Sequence, residues 1–127
     1  MARFQFDAYE PQPGFRINGK ASLGENIADL GGIAIALDAC KKTGQYKNNV
    51  IIGGQAPLQR FFLGWSLAWM DQLREEQLRR RLVGNVHAPA KWRVLGPISN
   101  MAEFYEAFGV TPERRMWRKV EERAAVW

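Results

Sequence analysis

In the stretch SLGENIADLGG, Ser22 to Gly32, two carboxylates, Glu25 and Asp29, stand four residues apart. That spacing puts both on one face of a helix. Such a pair has two readings. Glu25 can close an S-x-x-E capping box with Ser22, both acids favouring the positive end of the helix dipole. Alternatively, the pair is half of a metal site. Asp29 speaks for the second reading. It lies beyond the first turn between Ala28 and Leu30, on a helix that reads as buried on most sides, where an unpaired carboxylate is costly unless a metal or a metal-bound histidine satisfies it. The only histidine, His87, sits in NVHAPAKWRV, with Arg93 six residues on. A lone histidine is ordinarily a surface or satisfied core group. Arg93 changes its company, because its rigid donor fork suits a carbonyl or carboxylate.

These residues must be brought together by one modest domain, since 127 residues give no reason for two. The S-x-x-E pattern opens a helix from Ser22 to about Thr43, with Gly44 as its stop. Its apolar stripe runs through Ile27, Leu30, Ala34 and Leu37 and is widened by Ile33, Ala36 and Cys40. Gly31 and Gly32 each cost about 1 kcal/mol relative to alanine inside a helix, which points to close approach of another backbone there or to a break in the helix. Ahead of this helix, residues 1–14 read as a proline-rich lead-in outside the core, and Phe15 to Lys20 as a short extended piece ending at Asn18-Gly19. Behind it, residues 44–57 read as loop and Pro57 opens the aromatic helix Leu58 to about Asp71. A more polar helix spans Leu73 to Leu82, closed by Gly84. His87 to Ile98, with Pro89, Gly96 and Pro97, reads as loop with an extended piece near Trp92-Arg93-Val94. A last helix runs from Asn100 to Phe108 and stops at Gly109. No internal repeat or heptad is present.

Aromatic residues make up 12% of the chain, more than so small an interior readily hides, so some rings should face a partner. The net charge of +5 comes from bases interleaved with acids, as on solvated helix faces, and marks no phosphate track. A nucleic-acid partner is therefore not expected. Cys40 stands alone, so no internal disulfide forms and the redox compartment is undetermined. The opening MARFQFDAYEPQPG has no signal pattern, and no run approaches the roughly 18 apolar residues of a membrane span. The expectation is a soluble chain without an address of its own, in bacterial cytoplasm or periplasm.

The segments FDAYEPQPG, INGKASLGENIADLGG, QRFFLGWSLAW, VHAPAKWRV, GPISNMAEFYEAFG, MW and the terminal VW, in this order over nearly the whole chain, resemble the C-terminal part of the neprilysin and endothelin-converting-enzyme family of zinc metallopeptidases. The resemblance implies a mainly α fold, the C-terminal helical half of a thermolysin-like catalytic domain spanning residues 1–127, with a short extended segment before the first helix. It implies that Glu25 is the third ligand of one Zn²⁺ and that Asp29 orients a zinc-bound histidine. It also implies that His87 stabilises the tetrahedral oxyanion and that Arg93 grips a backbone carbonyl of the peptide. Substrates would be peptides of limited length, since this family encloses its site beneath a second domain.

Two departures qualify the match. The H-E-x-x-H helix is absent, and with a single histidine the other zinc ligands and the general-base glutamate must come from a partner chain. Asn85 stands where the family usually has an aspartate beside the histidine. It can fix the ring but adds no charge to stabilise imidazolium. Two functions follow from the resemblance. One is a subunit or fragment that hydrolyses peptides only when paired with an H-E-x-x-H chain, a heterodimer sharing the zinc; Met1-Ala2, like a translational start, favours the separate subunit. The other is a non-catalytic peptide-binding or regulatory module derived from the family.

Overall fold

The computed structural model describes residues 1–126. The fold is mainly helical, as expected. Seven α-helices follow one another: α1 (Ala2–Asp7), α2 (Leu23–Lys42), α3 (Gly44–Lys47), α4 (Pro57–Ala68), α5 (Glu75–Gly84), α6 (Ala90–Ile98) and α7 (Ala102–Phe108), with a 3₁₀ turn at Val120–Glu122. Among the described residues, β-pairing is confined to the isolated bridges Gln12–Phe15 and Ile52–Gln55. Among the described residues, no helix is long and apolar enough to cross a membrane.

The longest helix, α2, is the axis of the fold and packs chiefly on α6, with α1, α3 and α4 also against it. Its inner residues Ile33 and Leu37 meet Leu58 and Phe62 of α4, Ile98 of α6, and Met101 and Phe104 around α7 to form the main core. Phe62 sits edge-to-face on Phe104, an arrangement that aromatic rings prefer over flat stacking. The prediction that α2 is buried on most sides fails. Gly24, Ala28, Gly32, Ile35, Ala36 and Ala39 are exposed along one face, Ile35 at 60%. The helix is apolar all round, but this chain covers only one side of it.

Residues 1–14 are not a lead-in outside the core. They fold α1, whose Phe6 is buried with Ile17 and Ala88 in a second cluster flanked by Tyr9, Leu82 and Trp92. Gln5 is buried too, and its amide donates to Gly96 O, Ser99 Oγ and Tyr9 Oη while its carbonyl accepts from Asn100. A stretch of six residues is too short to announce this helix by its pattern. Phe15 to Lys20 is irregular and forms no ladder; Ile17 donates its N–H to Tyr9 O.

The segment around Arg93 is the second correction. Residues 90–98 form a helix, α6, where Gly96 and Pro97 had pointed to loop. Pro89, with ψ 150°, begins it and Pro97 falls in its last turn, so only one intrahelical bond is forgone there. Gly96 O is accounted for by Gln5, Ser99 and Asn100. Gly96 itself serves packing: a Cβ there would lie 2.3 Å from Phe6 Cζ. Elsewhere α2 ends at Thr43, whose ψ of 151° breaks the helix, so that Gly44 starts α3 instead of serving as the stop. α4 stops at Ala68, earlier than expected, and Gly109 closes α7 in the left-handed conformation, φ 59°.

Candidate active site

The packing of α2 on α6 brings together residues 64 apart in sequence. Arg93, in the second turn of α6, reaches Asp29 on α2 with both arms of its fork: Nε donates to Oδ2 and Nη2 to Oδ1, each at 2.7 Å. The two side chains are 15% and 8% exposed, which makes this a near-buried bidentate pair of the strongest hydrogen-bonding class. Those hydrogen bonds raise the Arg93 guanidinium above its ordinary value; burial opposes the rise, and the charges of Asp29 and Glu25 add to it. The carboxylate that looked stranded in sequence is therefore satisfied within the chain.

Glu25, one turn nearer the helix start, is half-exposed. Its Oε2 lies 3.2 Å from His87 Nε2 and 3.7 Å from Arg93 Nη2. The capping-box reading is corrected here. Ser22 makes no side-chain cap; its hydroxyl donates to Asn18 O and accepts from Asn26. With no capping bond to close, the Glu25 carboxylate stands beside His87 and Arg93 at the surface.

His87 is held from behind by Asn85, whose Oδ1 accepts the His87 backbone N–H at 2.9 Å and lies 2.8 Å from Nδ1. Since that oxygen is an acceptor, Nδ1 meets it as the donor, and Nε2 is the nitrogen turned to Glu25. All five residues singled out in the sequence thus form one connected group, Asn85–His87–Glu25–Arg93–Asp29. Sequence reasoning missed Trp69, at the end of α4, whose ring lies 4.0 Å beneath the Arg93 guanidinium. Its only signal was the aromatic surplus. A cleft of about 370 Å³ opens beside the group, walled by Trp69, Met70, Asp71, Asn85, His87 and Arg93.

The donor set fits part of a metal centre and no more. Among the described residues, no group of three or more His, Cys, Asp and Glu is arranged to hold an ion, whereas a catalytic zinc takes three protein ligands. Glu25 is suited to be one of them. Its contacts run to Oε2, so Oε1 keeps its lone pairs, and its side chain is 42% exposed.

Comparison with known proteins gives a consistent picture. The model for "Peptidase family M13" matches residues 2–124. Curated relatives include a neutral endopeptidase of Lactobacillus helveticus, 37% identical over 122 residues that cover 96% of this chain and 17% of the relative. Neprilysin-3 of Drosophila melanogaster is 33% identical, with 97% of this chain and 16% of the relative covered. Endothelin-converting enzyme 1 of Mus musculus is 35% identical, with 87% and 15% covered. Among solved structures, the Mycobacterium tuberculosis zinc metalloprotease ZMP1 in its open state superposes with a TM-score of 0.88 at 32% identity, over 99% of this chain and 20% of that one. The same protease in complex with inhibitor gives 0.87 at 34%. The chain therefore spans at most about a fifth of the length of these relatives.

Proposed function

The chain belongs to peptidase family M13, and from that premise we propose that it forms one wall of a zinc metallopeptidase active site, completed by a polypeptide that carries H-E-x-x-H. The observation that carries this reading is the convergence of two carboxylates, a histidine and an arginine in one connected group, with Glu25 3.2 Å from His87 and Asp29 in a bidentate pair with Arg93.

In this reading Glu25 is the third zinc ligand, binding through a carboxylate oxygen. When bound, the ion supplies Lewis acidity toward the scissile carbonyl and lowers the pKa of water. Asp29 keeps lone pairs beyond those given to Arg93 and accepts the N–H of a zinc-bound histidine on the partner, fixing that ring. His87, when both ring nitrogens carry a proton, would donate through Nε2 to the oxygen on which negative charge grows during amide hydrolysis. Asn85 Oδ1 holds the Nδ1–H and so keeps Nε2 turned into the site. Arg93, locked by Asp29, offers its remaining N–H groups to a backbone carbonyl of a bound peptide.

The open apolar face of α2, through Ala28, Gly32 and Ile35, supports the need for a partner polypeptide. A Cβ at Gly32 would meet nothing within 4 Å, so another backbone can approach there closely. Zinc content and peptide hydrolysis, measured for this chain alone and mixed with an H-E-x-x-H polypeptide of the family, test the proposal. Both should rise on mixing and both should be lost in Glu25→Gln; no gain in either overturns it. A second reading, a peptide-binding or regulatory module without catalysis, is favoured by Asn85, which adds no negative charge beside His87. It predicts a complex that binds peptides and stays inert even after Asn85→Asp.

A further inference from the structure

We propose that Trp69 is a positioning residue that holds the Arg93 guanidinium in its peptide-gripping orientation; the inference rests on the assignment of Arg93 to substrate binding. Two parallel bonds to Asp29 fix the Nε–Nη2 edge of the guanidinium. They leave one soft motion, a tilt of the plane about that edge, which swings Nη1 through an arc. Trp69 removes it. Its ring lies 4.0 Å from Cζ, so the cation is clamped by its edge on Asp29 and by its face on the indole. Nη1, which has no partner among the described residues, is then presented in one direction.

The indole is used for its face. Its Nε1 is buried without a hydrogen-bond partner, an arrangement that costs free energy and gains nothing for the fold as a polar contact. Trp65 meets the Trp69 ring edge-on at 5.8 Å and itself packs against the main core. A continuous stack thus runs from the core through Trp65 and Trp69 to Arg93 and Asp29. A cation–π contact with a partly buried arginine also prefers tryptophan to the smaller rings.

The test has two arms. In the chain by itself, the Arg93 Nε–H resonance in ¹⁵N spectra should shift in Trp69→Leu and exchange with water about tenfold faster, while Trp69→Phe keeps most of the wild-type behaviour. In the complex with an H-E-x-x-H polypeptide, Trp69→Leu should raise KM about tenfold with kcat within about twofold, the pattern of lost uniform binding. KM should rise in the order Trp, Tyr or Phe, then Leu. The Tyr and Phe variants decide the matter if Trp69→Leu does not fold. An unmoved Arg93 resonance overturns the clamp. A moved resonance with unchanged KM, or a loss confined to kcat, overturns its role in peptide binding. If the wild-type complex hydrolyses nothing, the catalytic reading fails, peptide affinity in place of KM tests the role of Trp69 in binding, and the resonance arm still decides whether Trp69 holds the guanidinium.

Discussion

Replacing Arg93 by methionine should destabilise the chain far more than a surface charge removal would. The guanidinium makes two charge-assisted bonds at 2.7 Å to a carboxylate that is 8% exposed. Breaking a buried pair from one side costs about 3–5 kcal/mol, because the surviving charge is left without compensation. Arg93 keeps 15% exposure and Asp29 is not wholly sealed, so about 3 kcal/mol is the expected loss, a large share of the ~5–15 kcal/mol that holds a domain together. Methionine keeps an apolar stem and a sulfur against Trp69, which isolates the charge as the cause. Asp29→Leu should cost about 2 kcal/mol, less than its counterpart because Arg93 retains Glu25 at 3.7 Å. The decisive variant is the double one. With both charges gone, no unpaired group remains, and Asp29→Leu with Arg93→Met should lose no more than Arg93→Met alone. Urea unfolding followed by circular dichroism, with equal m-values across the set, measures all four proteins. Additive losses, within about 0.5 kcal/mol, would refute the claim that Arg93 is what makes Asp29 tolerable in this interior.

Other outcomes follow from the same contacts. Gly96→Ala should cost about 2 kcal/mol in the same unfolding assay, since its methyl would fall 2.3 Å from Phe6 Cζ, and Phe6→Leu should recover part of that loss. The Lys41–Glu103 pair should shape the pH profile of stability. Burial alone would raise Glu103, but the hydrogen bond and charge of Lys41 hold it below its ordinary value, while that hydrogen bond raises Lys41. A lowered carboxylate contributes stability above its unfolded pKa and loses it as pH falls through the folded one; a raised lysine contributes below its unfolded pKa and loses it as pH rises through the folded one. The contribution should therefore be flat between about pH 5 and 10 and fall on both sides. It should amount to about 0.5 kcal/mol, because both side chains remain partly in water, and Glu103→Gln should abolish both limbs, which unfolding at pH 3, 7 and 11 would detect. In the proposed complex, Asn85→Asp should raise kcat several-fold by adding charge behind His87, with KM unchanged; equal kcat for the two residues would contradict the oxyanion role of His87.

Much of this architecture was legible because α2, α4 and α5 are sustained runs of apolar or polar helix formers and because Pro57 and Gly109 stand at the expected ends of α4 and α7. The failures lie where a local signal was decided by a distant contact. Gly96-Pro97 signals a loop in isolation, yet Gly96 O is bonded by Gln5 and the missing Cβ makes room for Phe6, both more than 89 residues away. α1 is too short to show a period and gains its order from that same contact. Ser22-x-x-Glu25 has the spelling of a capping box, but Ser22 is taken by Asn18 and Asn26, and Glu25 by His87 and Arg93 from a distant stretch of the chain. The site residues were legible as types and as a resemblance. Their pairing was not, because nothing in the spacing of Asp29 and Arg93 says that α2 and α6 lie side by side.

In the proposed function, that pairing explains how the acids of a zinc site can be gathered in this chain ahead of the ion. Small zinc domains fold only when the ion offsets the repulsion and desolvation of ligands gathered in one place. Here the two acids are already opposed by two basic groups: Asp29 by Arg93 in the interior, and Glu25 by His87 and Arg93 at the rim. The division follows exposure. The deeper carboxylate has the permanent, bidentate cation, and the half-exposed one has a weaker partner at 3.2 Å that is charged only when protonated. Glu25 is consequently the acid that can be drawn away at little cost, whereas Asp29 gives up Arg93 only against a bond as strong. An incoming cation centre would therefore take Glu25 first and leave the Asp29–Arg93 pair standing as the fixed side of the site.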